Sequence, residues 1–422
     1  MAAKHQAPRG TRDLTPEDTA RWQWAEARAR EVFRHYGYAE IRTPIFEDYE
    51  LFARSSGESS DVVQKEMYRF TDMGDRALAL RPENTAGVVR AYLEQGMGGR
   101  GRIHKLWYMG PMFRYGRPQK GRYRQFHQIG AELIGSAAPG ADVEIIALFV
   151  DLYRAWGIDS LTVAINSVGT PASRRVYGDL LREWLAPVTS QLSADSQARM
   201  LTNPLRVLDT KAAGDLALFT TLPPQPRMVD HLDPESAEHW AAVRAGLDAI
   251  GIAYEVDHGL VRGLDYYTRT AFEVHDRNLG AQSALGGGGR YDGLIEELGG
   301  PATPGVGFSI GQDRSMLVLE ERGLSVENPP VVLVVAMDST RAAAQKLARD
   351  LRQEFTVDID LEGRGFGAQM KSAGKSGARF LVILGEDEWQ RGEVLLKDSQ
   401  AGTQETLAPQ ALAASLRAKV SA

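Results

Sequence analysis

The residues HGLVRGLDYY at positions 258–267, followed by LGGGGRYDG at positions 285–293, are the most informative part of this chain. They bring two arginines, three tyrosines and a glycine-rich turn close together. Arginine recognises carboxylate or phosphate through a planar fork of donors, tyrosine offers an apolar wall with a hydroxyl, and glycine lets the backbone approach a ligand. The segment lacks the GKS or GKT ending of a P-loop. It predicts a pocket for a polar amino acid beside a polyphosphate.

Composition limits the class of protein. The chain has 422 residues, of which 43% are hydrophobic and 25% charged, so two or three soluble domains are expected. No apolar run is long enough for a membrane span, and the N-terminus does not resemble a signal peptide. Without cysteine there is no disulfide or cysteine-ligated zinc, and the eight histidines lack paired metal spacing. We expect a cytoplasmic protein without zinc.

One basic segment stands out against the net charge of −6. Residues 95–131 contain no acidic residue, and aromatic rings alternate with the basic ones. A solvated basic face is the usual interpretation of such a run. Interleaved rings favour instead a surface that binds a nucleotide or nucleic acid.

The spacing of apolar residues predicts how the chain is organised. It indicates a helix over residues 17–35 and strands over residues 38–46, 107–113, 125–133, 161–167 and 270–275. These strands are too close for a regular βαβ repeat, so residues 1–325 are expected to form an α+β domain with a mainly antiparallel sheet. Residues 170–245 read as a helical insertion. After a linker over residues 320–330, alternating strands and helices predict a small α/β domain over residues 330–422, with a mainly parallel sheet.

Several peptides resemble those of the histidyl-tRNA synthetases, a class II aminoacyl-tRNA synthetase family. RGLDYY (262–267) and GGRYDGL (288–294) are similar to the two peptides peculiar to that family. The segments 36–46, 112–128 and 305–314 resemble the three class II motifs, the first of which forms the dimer interface in the family. RPENTAG (81–87) has asparagine where the family has glycine, and Gln312–Ser315 replaces its usual Leu-Glu-Arg-Leu.

The resemblance implies a role for each matching residue. Arg114 and Arg262 would be catalytic groups beside the α-phosphate of ATP, while Phe126 and Arg314 would enclose the adenine. Glu83, Thr85 and Gln128 would hold the substrate ammonium, and Glu132 and Tyr267 the imidazole ring. The full histidine-binding set implied is Glu83, Asn84, Thr85, Arg114, Gln128, Glu132, Arg262, Tyr266, Tyr267 and Tyr291. Asn84 should be tolerated because asparagine accepts left-handed backbone.

The same resemblance implies histidine–tRNA ligation, with L-histidine, ATP and tRNA(His) as substrates and a homodimeric enzyme. Mg²⁺ is expected on the ATP phosphates, and the residues that bind a metal are not indicated. The C-terminal domain resembles the anticodon-binding module; a flavodoxin-like regulatory domain is the alternative. For the whole chain the alternative is the non-catalytic regulatory subunit of ATP phosphoribosyltransferase. Its typical loss of the C-terminal domain and of the RGLDYY region argues against it here.

Overall fold

A computed structural model describes residues 5–56, 62–264, 266–278, 284–324, 326 and 331–420. The chain divides into two compact units, Met1–Ser325 and Val326–Ala422. Asp265 of the RGLDYY motif and most of the expected linker after residue 324 lie outside the described residues. No helix in the described ranges is long and apolar enough to cross a membrane.

The first unit mixes helices and strands. Its α-helices are α1 (Pro16–His35), α2 (Tyr49–Ser56), α3 (Thr85–Glu94), α4 (Pro139–Ala155), α5 (Pro171–Leu185), α6 (Ala194–Thr202), α7 (Ala213–Phe219), α8 (Pro234–Ala249), α9 (Leu294–Glu297) and α10 (Gln312–Glu321). Its strands are β1 (Ala39–Glu40), β2 (Phe46–Asp48), β3 (Arg69–Thr71), β4 (Ala77–Leu80), β5 (His104–Phe113), β6 (Gln125–Ile134), β7 (Leu161–Ser167), β8 (Tyr254–Val256), β9 (Thr268–Asp276), β10 (Ala284–Arg290) and β11 (Gly305–Gly311).

Eight strands form one large sheet in the order β1-β5-β6-β11-β10-β9-β7-β8. Only the outermost pairs, β1 with β5 and β7 with β8, are parallel. The other five pairs are antiparallel. The expected α+β fold with a mainly antiparallel sheet is therefore confirmed, and α5 to α8 occupy the region where helices were expected.

The glycine-rich segment is a strand, and the prediction of a turn there is wrong. Residues 286–289 lie inside β10, between β9 and β11. A side chain on any of the four glycines would overlap backbone oxygen of a flanking strand. Glycine disfavours isolated strands, but here it allows neighbouring backbones to come unusually close. Tertiary packing therefore overrides local propensity.

The core of this unit lies between the large sheet and helices α1, α4 and α8. Thr15 and Pro16 begin α1, and its buried residues Trp22, Ala25, Ala29 and Phe33 recur at helical spacing. The ring of Phe33 stacks on Trp107 of β5 at 4.8 Å. Helix α4 is apolar on most of its surface because the sheet and α8 cover it. On the opposite face, part of the sheet packs against α3 and α9 in a second apolar cluster.

The segment around Pro44 divides into two strands. Strand β1 joins the edge of the large sheet, whereas β2 pairs with β4 in a separate antiparallel sheet of order β2-β4-β3. The bend that the proline predicts is present, but it sends the chain into a second sheet. That sheet brings residues 81–84 to the open face of the large one.

The second unit is a small α/β domain. Its strands are β12 (Val331–Ala336), β13 (Thr356–Ile359), β14 (Phe380–Leu384), β15 (Val394–Asp398) and β16 (Thr403–Leu407); its α-helices are α11 (Arg341–Leu351), α12 (Phe366–Ala373), α13 (Glu386–Gln390) and α14 (Leu412–Val420). The sheet order is β13-β12-β14-β15-β16. The first three strands are parallel, but β15 and β16 are antiparallel, so the prediction of a mainly parallel sheet is correct only for the first half.

Candidate active site

A cavity of about 380 Å³ opens over the centre of the large sheet. Strands β6, β10 and β11 form its floor, and its walls are formed by Glu83, Thr85 and residues 262–264, 266 and 267. Nearly all the residues expected at the site line it: Glu83, Thr85, Arg114, Phe126, Gln128, Glu132, Arg262, Tyr266, Tyr267, Tyr291 and Arg314. Residues from five distant stretches of sequence therefore meet in one place.

Asn84 is the exception among the expected residues. It is buried, but it does not line the cavity; its amide oxygen accepts hydrogen bonds from Thr43 at 2.6 Å and from Arg81 at 3.4 Å. Its backbone φ is −122°, so no left-handed conformation is required. Asn84 thus braces the turn before α3, and its role in histidine binding stays a prediction.

Glu132 lies at the closed end of the cavity inside a cage of hydroxyl groups. Its carboxylate accepts hydrogen bonds from Thr85 at 2.8 Å, Tyr291 at 2.6 Å and Tyr108 at 3.3 Å. Burial raises the pKa of Glu132 to about 8, although these hydrogen bonds act in the opposite direction. Gly307 makes the arrangement possible, because a side chain there would overlap the carboxylate.

Glu83 and Gln128 extend the polar lining. The carboxylate of Glu83 accepts the backbone N–H groups of Thr85 at 2.6 Å and Ala86 at 3.1 Å, at the N-terminus of α3, where a negative charge is favoured. Burial raises the pKa of Glu83 despite these bonds. The side-chain oxygen of Gln128 is buried and has no hydrogen-bond partner among the described residues. An unpaired buried acceptor of this kind suits a donor on a ligand.

Three tyrosines form an aromatic wall beside Glu132. The rings of Tyr266 and Tyr267 lie 4.7 Å apart, and Tyr266 meets Tyr291 edge-on at 5.9 Å. All three are almost fully buried. Their ring faces and hydroxyls limit the closed end of the cavity to a small ring that can hydrogen bond.

Arginines line the other end of the cavity. Arg114 follows β5, donates through Nε to the carbonyl of Pro82 at 2.8 Å and lies over the ring of Phe126 on β6 at 5.5 Å. Strands β5 and β6 form one antiparallel hairpin, which brings the two residues together. Arg314 donates to the carbonyl of Ala284 at 2.6 Å and lines the same cavity.

Arg262 reaches the cavity from the opposite wall and forms an ion pair with Glu273 of β9. Glu273 also lines the cavity, and Tyr108 hydrogen bonds to Glu132. Neither residue lies in a peptide that the sequence marks as part of the site. Glu273 lies two residues beyond Ala271 in an otherwise ordinary strand, so its position opposite Gly287 could be found only from the strand register.

Two of the residues by which the third motif differs from the family pattern make specific contacts. Asp313 accepts the backbone N–H of His127 at 2.7 Å and pairs with Arg12 at 3.2 Å. Ser315 shares a 2.8 Å hydrogen bond with Tyr153. These contacts join α10 to β6 and to α4, and Arg314 keeps its place between them.

A largely antiparallel sheet that carries such a site on its open face, with a hairpin arginine over an aromatic ring, defines a class II aminoacyl-tRNA synthetase. Known proteins narrow this class. A family model described as Histidyl-tRNA synthetase matches residues 10–314, and one described as Anticodon binding domain matches residues 331–419. The chain belongs to the histidyl-tRNA synthetase family, and the resemblance found in the sequence is confirmed.

Similar proteins match along nearly the whole chain. The chain is 48% identical over 416 residues to the histidine–tRNA ligase of Desulforamulus reducens. The alignment covers 98% of this chain and 99% of the relative. It is 50% identical over 405 residues to that of a Synechococcus strain, JA-3-3Ab, covering 95% and 96%. Among solved structures, apo histidyl-tRNA synthetase of S. aureus is similar, with a TM-score of 0.81, 40% identity and coverage of 97% and 98%.

Proposed function

We propose that this chain is a histidine–tRNA ligase that activates L-histidine with ATP and then transfers it to the terminal ribose of tRNA(His). The ligase function expected from the sequence is confirmed over the regulatory alternative by relatives of that name that align over almost their full length. One observation of the site carries the finer proposal: carboxylates, tyrosines and arginines all line a single cavity.

The closed end is proposed to bind histidine. Glu132 has the position to accept an imidazole N–H, and Tyr267 can hydrogen bond the ring; the unpaired oxygen of Gln128 and the carboxylate of Glu83 suit the ammonium group. Thr85 supports this site through Glu132, to which its hydroxyl donates. A pocket that pairs every polar atom of a ring rejects analogues strongly, because its own groups would be left unpaired.

The arginines are proposed to act on ATP. A histidine carboxylate needs no general base to attack the α-phosphorus, so the first step depends on position and on stabilising the charge of the phosphate oxygens. Arg114 and Arg262 supply fixed positive charge for this purpose. Phe126 and Arg314 are proposed to bind the two faces of the adenine ring.

Mg²⁺ is proposed to arrive on the ATP phosphates. Glu83 is engaged by backbone amides, Glu132 by hydroxyls and Glu273 by Arg262, so phosphate oxygens and water would supply most of its ligands. The ion would neutralise phosphate charge as pyrophosphate leaves. The residues that hold ATP do not depend on it for their own positions.

Two further parts of the chain support proposals about partners. Ile45, Phe46 and Phe70 are 41–49% exposed on the small sheet, and such an apolar patch at the first motif supports a homodimer. In the second unit Lys371 and Lys375 lie on and just after α12, in a segment without acidic residues, which supports contact with tRNA phosphates. The cytoplasmic location stays a prediction.

The exchange of ATP with pyrophosphate tests the function. We expect exchange with histidine and with none of the other nineteen amino acids, because only an imidazole satisfies Glu132 and the tyrosines together. Arg262→Ala should slow exchange by about 10²–10³-fold while histidine still binds, the usual loss for one preorganised donor. Exchange with another amino acid alone would contradict the proposal, and wild-type exchange by the Arg262 variant would contradict the role of that arginine.

A further inference from the structure

The arginine at the centre of the proposed chemistry has a partner on the neighbouring strand. Glu273 of β9 forms an ion pair with Nη1 of Arg262. Both side chains are mostly buried, with 19% of Arg262 and 26% of Glu273 exposed. Water screens a charge pair in this position less than it screens a pair on the surface, so the attraction between the two side chains is stronger.

Strand register places Arg262 over bare backbone. Glu273 lies directly opposite Gly287 of β10. A Cβ atom on Gly287 would come within 2.8 Å of Nη1 and 3.1 Å of Cζ of Arg262. The guanidinium group therefore rests in a slot whose floor is Gly287 and whose side is Glu273. Two contacts from two strands define its position.

The carboxylate of Glu273 is itself held in place. Nε2 of His275, two residues along the same strand, lies 3.5 Å from the oxygen that does not face Arg262. Burial alone would favour the neutral acid, but His275 and Arg262 bring the pKa of Glu273 below its ordinary value. Glu273 is thus an anion at neutral pH.

One donor of Arg262 remains open. Its Nε is buried and has no hydrogen-bond partner among the described residues. The guanidinium group is planar, so fixing one end by a carboxylate fixes the direction of its other donors. The guanidinium group as a whole lines the cavity, so its charge has a fixed place there.

We propose that Glu273 is the positioning residue for Arg262: it holds the guanidinium over Gly287, in the cavity wall, so that the positive charge is in place for the phosphate during activation. This inference rests on the role of Arg262 in the proposed function. Glu273 acts through the arginine and not on the substrate itself. Its removal should therefore matter only while Arg262 is present.

A double-mutant cycle measures this dependence. Glu273→Ala should slow histidine-dependent ATP–pyrophosphate exchange by about tenfold to a hundredfold, the scale of one hydrogen bond to a charged group. Glu273→Gln, which keeps the shape and an acceptor oxygen, should recover part of that loss. Added to Arg262→Ala, the same Glu273→Ala change should cost less than about twofold, because contacts that act as a unit are not additive.

The outcomes separate the two proposals. If Glu273→Ala slows the Arg262→Ala enzyme as much as it slows the parent, Glu273 acts independently and the inference is overturned. If Arg262→Ala exchanges at the parent rate, the role of Arg262 and the inference fall together. Glu94→Ala, which removes an exposed glutamate paired with Arg90 on α3, is the matched control and should exchange like the parent. Circular dichroism of each variant checks folding, and Glu273→Gln serves if the alanine variant unfolds.

Discussion

Strand β10 of the first unit and strand β14 of the second are both inner strands, but β14 forms part of an apolar core and β10 forms part of the cavity floor. Strand β14 reads FLVIL, every residue is buried, and apolar groups cover both of its faces. Strand β10 reads ALGGGGR, and on one face its glycines lie under Arg262 and Tyr267 instead of under an apolar layer. Part of the cavity therefore lies over a strand that has no side chains of its own. Buried apolar side chains on a strand stabilise its domain, whereas glycines on a strand leave room for a ligand.

The largest effect is expected when a glycine beneath the cavity is replaced by a residue with a side chain. In Gly307→Ala on β11, the added methyl group would overlap Glu132 and displace it from its three hydroxyl donors. We expect kcat/KM for histidine in ATP–pyrophosphate exchange to fall by roughly 10³-fold, since a preorganised polar contact is lost in a buried pocket. The assay is exchange at several histidine concentrations.

Gly140→Ala is the matched control, because nothing lies within 4 Å of a Cβ atom at that position. It should exchange at the parent rate. Comparable activity in both variants would show that Gly307 is not needed for the position of Glu132.

Removing a side chain from the filled strand tests the other half of the comparison. Leu384→Ala in β14 creates a cavity in a fully buried layer and should lower the free energy of unfolding of the second unit by about 3 kcal/mol. Amide hydrogen exchange of β12 and β14 measures the loss. ATP–pyrophosphate exchange should be unchanged, because the proposed activation site lies wholly within the first unit.

Leu361→Ala removes the same kind of side chain from a position that is 85% exposed. In this variant the amide groups of β12 and β14 should be protected from hydrogen exchange as well as in the parent. Equal protection in the two leucine variants would mean that β14 is not stabilised by its burial.

A third effect concerns the buried carboxyl group of Glu132 and depends on pH. The pKa of Glu132 is about 8 in the folded protein and near 4.5 when exposed, so between these values the unfolded chain has lost a proton that the folded chain keeps. The stability of the ligand-free protein should therefore fall as pH rises from 4.5 to 8, by roughly 1.4 kcal/mol per pH unit from this group. Glu132→Gln should remove that slope in denaturant titrations.

The exposed Glu31→Gln on α1 is the control and should keep the parent slope. A Glu132→Gln protein whose stability changes with pH just as the parent does would contradict a neutral carboxyl in the empty site.

The comparison of strands also shows which sequence signals are reliable. Apolar periodicity placed α1, β6 and β7 within a few residues, because burial of a stripe or an alternate face leaves its period in the sequence. The glycine run was misassigned because its strand is stabilised by close neighbours and not by its own residues. Strands β15 and β16 were missed because their outer residues are polar and exposed, as an edge hairpin allows.

The amino-acid sequence by itself determined the family, the α+β class of the first unit and eleven of the residues that line the cavity, because those residues sit in short peptides with unusual composition. The tertiary structure alone decided how they meet. It turned Asn84 away from the cavity, surrounded Glu132 with hydroxyls from three separate segments, and set Glu273 against Arg262 through strand register. Such contacts depend on distances between residues far apart in the chain, which no local pattern records.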